Sequence, residues 1–176
     1  MNTNWYGRGI TVGIVVGLII SVFVLKAMNK NNKMKTEYDE MQEKVRGKAY
    51  KYAFWTMAAF ETLMVIIEVL EIKVPFSGFT LHVIPIIIAA CVHAVYSVMN
   101  GAYIGLNTNV KTTFVAMVVI GAINILIAIL AFANGFMIED GMFGDQFLNL
   151  LVGLMFVIIG VATFIAKKKN AEAEEE

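Results

Sequence analysis

Five apolar stretches, each near the length that crosses a bilayer, dominate this chain, and most of its lysines and arginines fall in alternate gaps between them. The stretches cover residues 9–26, 52–70, 80–99, 113–134 and 147–166. A hydrocarbon layer ~30 Å thick takes about 20 residues of helix to cross. Backbone groups find no water at that depth, so only helices or closed barrels span it, and a barrel shows ~10-residue stretches of alternating polarity. These runs are apolar on nearly every side. The expected fold is therefore all-α, an integral membrane bundle of five transmembrane helices forming one membrane domain over residues 1–176, and the 59% hydrophobic composition agrees with that class.

Charge placement predicts orientation. Lys26, Lys30, Lys33, Lys35, Lys44, Arg46, Lys48 and Lys51 flank the first gap, Lys111 lies in the third, and Lys167, Lys168 and Lys169 follow the last span. The other side has only Arg8 and Lys73. Cytoplasmic segments retain Lys and Arg, so the N-terminus is expected outside and the C-terminus inside, in the cell membrane. The loop with Glu139, Asp140 and Asp145 then faces outward. Trp5 and Tyr6 on one side, and Tyr50, Tyr52 and Trp55 on the other, suit interfacial aromatic belts. The first span has a single positive charge before it and no small-residue cleavage site after it, so it is expected to stay as a membrane anchor. Cys91 has no partner cysteine, which excludes an intrachain disulfide and Cys-rich metal chemistry.

The polar segment 27–51 is expected to be partly helical. Thr36 and Asp39 make a candidate capping box. Glu37, Asp39 and Glu40 precede Lys44, Arg46 and Lys48, the order a helix dipole favours. Met34, Tyr38, Met41, Val45 and Ala49 or Tyr52 form an apolar stripe at helical spacing. The segment reads as a cytoplasmic juxtamembrane amphipathic helix, with Lys44, Arg46, Lys48 and Lys51 as a membrane-surface or partner contact and a bend at Gly47 before the second span. The charged tail 167–176 reads as solvated and cytoplasmic, disordered from Asn170 on.

The run Tyr38-Asp39-Glu40-Met41-Gln42, followed by Arg46-Gly47-Lys48-Ala49-Tyr50-Lys51-Tyr52-Ala53-Phe54 entering a span, resembles the juxtamembrane signature of small, uncharacterised membrane proteins of Gram-positive bacteria. That resemblance implies a cytoplasmic-membrane location and assigns no activity.

Ionisable groups at bilayer depth are costly and hence functional candidates. Glu61 and Glu68 share one face of the second span, and His82 and His93 share one face of the third. Counting depth from the span ends brings Glu61, His93 and Asn124 of the fourth span together near the midplane, with His82 level with Glu68. This candidate intramembrane polar cluster is either a proton or cation relay or a static set of interhelical hydrogen bonds. The spread of depth speaks against one four-ligand metal site.

Pro85 is expected to kink the third span. Gly9, Gly13, Gly17 and Ser21 recur every four residues on the first span, a helix-packing stripe whose expected partner is the chain's own bundle, with a second subunit as the alternative. Gly153 and Gly160 suggest another close contact. The chain has no HExxH, Walker or CxxC motif and no intramembrane aspartate within a span. The expected function is thus a non-catalytic accessory or interaction subunit of a membrane complex, with a small proton- or cation-coupled transporter or channel as the alternative. The expected partners are the lipid bilayer and a membrane protein or a second copy. Nothing points to nucleic acid, a cofactor or a metal.

Overall fold

Three helix starts in this chain, at Glu40, Gly78 and Val110, are set by side chains that take up otherwise unpaired amides. A computed structural model describes the backbone of residues 5–175 and the side chains of residues 12–167 apart from 14 and 139. It is all-α, with five helices: α1 Trp5–Met28, α2 Glu40–Val69, α3 Gly78–Met99, α4 Val110–Ala133 and α5 Phe147–Glu175. Ser77 caps α3 by accepting from the Thr80 amide, and Asn109 caps α4 by accepting from that of Thr112. At α2 the capping box forms one turn later than expected. Asp39 Oδ1 accepts from the Gln42 amide at 2.7 Å, and Gln42 Oε1 accepts from the Asp39 amide at 3.3 Å.

From that cap α2 runs without a break for 30 residues, about 45 Å at helical rise. The expected surface helix and second span are one rod, and Gly47 lies within it with open space around it rather than at a bend. Met34 and Tyr38 precede the helix, and Met41 is exposed. The inward face of the first turns is instead Gln42, Val45, Arg46 and Ala49. Pro85 is buried inside an otherwise continuous α3. The backbone of α5 stays helical through Glu175, where the tail was expected to be disordered.

Four helices, α2, α3, α4 and the 147–167 part of α5, are long and apolar enough to cross a membrane. Of α1, a shorter apolar stretch, Val15–Met28, is described without interruption, and residues 9–11 and 14 of the expected first span lie outside the described side chains. Most large apolar side chains on these helices are exposed, as lipid-facing surfaces are.

The principal contacts run α2–α3, α3–α5 and α5–α4, so α5 sits between α3 and α4 and α2 forms one edge of the row. Ala94 and Val98 of α3 pack on Ile159 and Ala162 of α5 at the core. Glycine sets the α4–α5 approach. A Cβ added to Gly153 would stand 2.5 Å from Ile125 Cγ1, and one added to Gly121 would stand 2.9 Å from Phe156 Cβ. Gly160, expected to make a similar contact, has nothing within 4 Å.

At one end of the row, the α4–α5 connection forms a two-stranded hairpin, β1 Ile138–Glu139 with β2 Met142–Phe143. Its turn residues Asp140 and Gly141 both have positive φ, 51° and 77°, as a two-residue type I′ turn requires. Phe143 then locks onto the α2–α3 connection: its amide donates to the Pro75 carbonyl at 2.8 Å, and its carbonyl accepts from the Ser77 amide at 3.0 Å. The rings of Phe76, Phe143 and Phe147 cluster over this junction.

Candidate functional site

The α2–α3 turn dictates which polar groups meet. Val69 ends α2 and Gly78 starts α3, so positions equally far from these ends are level. His82, four residues into α3, is level with Val65, midway between Glu61 and Glu68. Accordingly His82 Nδ1 lies 2.9 Å from Glu61 Oε2, and His82 Nε2 lies 3.1 Å from Glu68 Oε1. One imidazole thus bridges two carboxylates stacked two turns apart on α2.

Proton counting limits what this triad can be. Each contact needs one hydrogen, so two protons are shared among three groups. The arrangement is either an imidazolium between two carboxylates or a neutral imidazole with one carboxyl protonated. Both carry a net charge of −1, and taking up a third proton neutralises the set. The side chains are partly open, with 39% of His82, 34% of Glu61 and 51% of Glu68 exposed. Because the two imidazole nitrogens point to different carboxylates, the donors do not face one common point. Among the described residues no group of three or more His, Cys, Asp or Glu side chains is arranged to hold a metal ion.

The same registry places His93 level with Phe54, about 16 Å along α3 from His82. The expected Glu61–His93–Asn124 grouping is not formed. The His93 ring packs on Tyr50, centroids 4.4 Å apart, and its Nε2 is buried with no hydrogen-bond partner among the described residues. The Asn124 amide donates to the Ile120 carbonyl of its own helix at 2.9 Å. Asn124, which the depth count brought level with Glu61 and His93, lies on α4, and α5 stands between α3 and α4.

At the opposite end, where α1 finishes and α2 begins, the connections 29–39 and 100–109 form a clasp. The α3–α4 connection, which joins two helices that α5 separates, pairs with the chain leaving α1. The Asn29–Thr108 bridge is flanked by Lys30 N–H donating to the Asn107 carbonyl and Asn109 N–H to the Met28 carbonyl, both at 2.7 Å. Asn107 is the centre. Its Oδ1 accepts from the Glu37 amide at 2.8 Å, and its Nδ2 donates to the Lys35 carbonyl at 3.1 Å and to Asn31 Oδ1 at 3.2 Å. Gln42 Nε2 donates to the carbonyls of Gly101 and Ile104 at 3.0 and 3.1 Å. A Cβ at Gly105 would collide with Thr36 Cγ2 and lie 2.7 Å from the Glu37 carbonyl oxygen, so the strands close only over glycine. The asparagines of 29–32 and 107–109 and Gly105 were the visible trace of this clasp, but as single residues they read as turn formers.

The clasp also redistributes the basic patch. Lys44, Lys48 and Lys51 are exposed, and Lys44 pairs with Glu40 of its own helix at 2.8 Å, a surface contact of little consequence for stability. Arg46 turns inward instead. Tyr103, half-buried beside it, has its phenol held above the usual range by burial first and then by Tyr38, with Arg46 opposing.

The glycine stripe does not pack into the row. Gly13 and Gly17 have nothing within 4 Å of an added Cβ, and the Ser21 hydroxyl donates to the Leu18 carbonyl of its own helix at 2.7 Å. Gly9 belongs to α1 by its backbone, and its surroundings lie outside the described residues. α1 meets α4 only lightly. Among the described residues, the own bundle, expected to fill this stripe, leaves Gly13 and Gly17 open.

No family model, curated protein or solved structure matches this chain.

Proposed function

We propose that this chain is a non-catalytic multi-pass protein of the cell membrane, N-terminus outside and C-terminus inside, that serves as an interaction subunit of a membrane complex. The observation that carries this reading is α1. It is tied to the row through the clasp at one end, and the described part of its small-residue face, Gly13 and Gly17, is uncovered. Within lipid, helices associate through close packing rather than a hydrophobic driving force, and small residues in register permit that packing. The free flank of α2 at the edge of the row offers a second contact surface, and Lys44, Lys48 and Lys51 a third at the cytoplasmic face.

The test is gentle purification from the native membrane combined with cross-linking from a Ser21→Cys variant in a Cys91→Ala background. A membrane protein, or a second copy of the chain, cross-linked to α1 and lost on Gly13→Leu/Gly17→Leu substitution supports the proposal. Recovery of a monomer with no cross-linked species in the membrane overturns it.

The Glu61–His82–Glu68 triad favours a second reading, a small proton- or cation-coupled transporter, because one added proton removes its net charge. Proton flux into vesicles carrying the wild type but not Glu61→Gln would establish that reading. Equal flux from both would dismiss it.

A further inference from the structure

Arg46 is one of only two arginines in the chain, the other being Arg8. Its surroundings are unlike those of the lysines that neighbour it in sequence. The guanidinium lies 4.1 Å from the centroid of the Tyr38 ring and 5.7 Å from that of Tyr50, and one Nη donates to the Tyr50 hydroxyl at 3.1 Å. A guanidinium offers five N–H donors. Among the described residues no carboxylate lies within ion-pair distance of it. The nearby Glu37 carboxylate accepts instead from Asn31 Nδ2 at 3.4 Å.

Beside this half-buried cation, beneath the clasp, is a cavity of about 190 Å³. Tyr38, Tyr103, Thr36 and Thr108 line it with Arg46, and Leu25 and Met28 of α1 close the apolar side. It is smaller than the ~300–1,000 Å³ of sites for drug-sized ligands, so its occupant is compact. It is also cationic: among the described residues the one formal charge in its lining is that of Arg46, and the half-buried Tyr103 phenol is held above its ordinary range by burial. Depth gives a further constraint. Arg46 stands 23 residues from the Val69 end of α2, about 35 Å, which is beyond a ~30 Å hydrocarbon layer and level with headgroups.

We infer that Arg46 and this cavity bind a phosphate-type oxyanion, supplied by a phospholipid headgroup or by free phosphate. The planar fork of the guanidinium presents paired donors to two phosphate oxygens, and the aromatic faces of Tyr38 and Tyr50 hold the fork in place. The site stands apart from the interaction role proposed above and does not rest on it.

Two arginines make the test direct. With arginine ¹⁵N-labelled, the protein has two Nε–H signals, assigned by Arg8→Lys. In zwitterionic detergent, inorganic phosphate is titrated in against chloride at equal ionic strength. In nanodiscs, phosphatidylcholine alone is compared with phosphatidylcholine containing phosphatidylglycerol. A shift of the Arg46 signal with phosphate identifies the free oxyanion as a ligand, and a shift confined to phosphatidylglycerol discs identifies the headgroup. An Arg46 signal unmoved by both, or moved equally by chloride, overturns the inference. For a headgroup, phosphatidylglycerol retained in native mass spectra falls about tenfold in Arg46→Gln and less than about twofold in the exposed Lys48→Gln. Equal retention by Arg46→Gln and Lys48→Gln contradicts the site. The wild-type spectra decide the matter even where Arg46→Gln fails to fold.

Discussion

Replacing Asn107 with alanine tests whether the clasp is a cooperative unit or a set of passive turns. The side chain makes three hydrogen bonds to three different residues, Asn31, Lys35 and Glu37, and is 9% exposed. Three net contributions of about 0.5–1.5 kcal/mol each put the loss at about 2–4 kcal/mol. At about 1.4 kcal/mol per factor of ten, that is roughly a 30- to 700-fold rise in local opening. The reporters are the amides of Lys30, Leu106 and Asn109, whose hydrogen bonds are backbone to backbone and are not removed by the substitution. In hydrogen exchange, all three should lose protection together by that factor, while amides in the middle of α3 keep theirs. Asn107→Asp should be at least as damaging, because the new carboxylate faces the acceptors Asn31 Oδ1 and the Lys35 carbonyl. Unchanged protection at Lys30 and Leu106 would refute the idea that Asn107 joins the two connections.

The glycine contacts should sort by their surroundings. Gly153→Leu is expected to destabilise the folded protein in detergent by about 1–3 kcal/mol through its clash with Ile125, whereas Gly160→Ala, with open space, stays neutral or gains slightly in helix propensity; a thermal melt of each variant distinguishes them. In a protein with ¹⁵N-labelled histidine, which has only His82 and His93, both Glu61→Gln and Glu68→Gln should move the ring signals of His82 and leave those of His93 in place. Equal movement of both histidines would dissolve the triad as a unit. Tyr103 titrates above an ordinary phenol in the folded chain, so its stabilisation is complete below pH ~10 and is lost as pH rises from there through the folded value. Absorbance titration should show one late tyrosine that vanishes in Tyr103→Phe, and in that variant the alkaline loss of stability should be smaller.

The all-α class and the extents of α3, α4 and the apolar part of α5 were legible because a helix long and apolar enough to cross a membrane leaves a trace at every residue. The pairing of Glu68 with His82 was visible too, since both lie near a short turn. Errors grew with distance from that turn. His93 and Asn124 were placed by counting depth from assumed span ends, and neither the exact helix ends nor the insertion of α5 between α3 and α4 is encoded in hydropathy. The Asp140-Gly141 hairpin had a direct signal, the dipeptide that permits two positive φ angles. The clasp had none of comparable strength. Its hydrogen bonds join residues some 70 positions apart, and an asparagine that will bond across the fold looks the same as one that will sit in a turn.

The unbroken course of α2 has a mechanical consequence. Arg46 and Glu61 ride on one stiff rod about 22 Å apart, with no hinge between them. A tilt of about 5° pivoting at Arg46 sweeps Glu61 through ~2 Å, which is enough to carry a 2.9 Å contact to His82 out of hydrogen-bonding range. Whatever loads or unloads the lysine-rich end of α2 therefore pulls on the proton-sharing triad at the other end by leverage, without any intervening side chain having to change its neighbours.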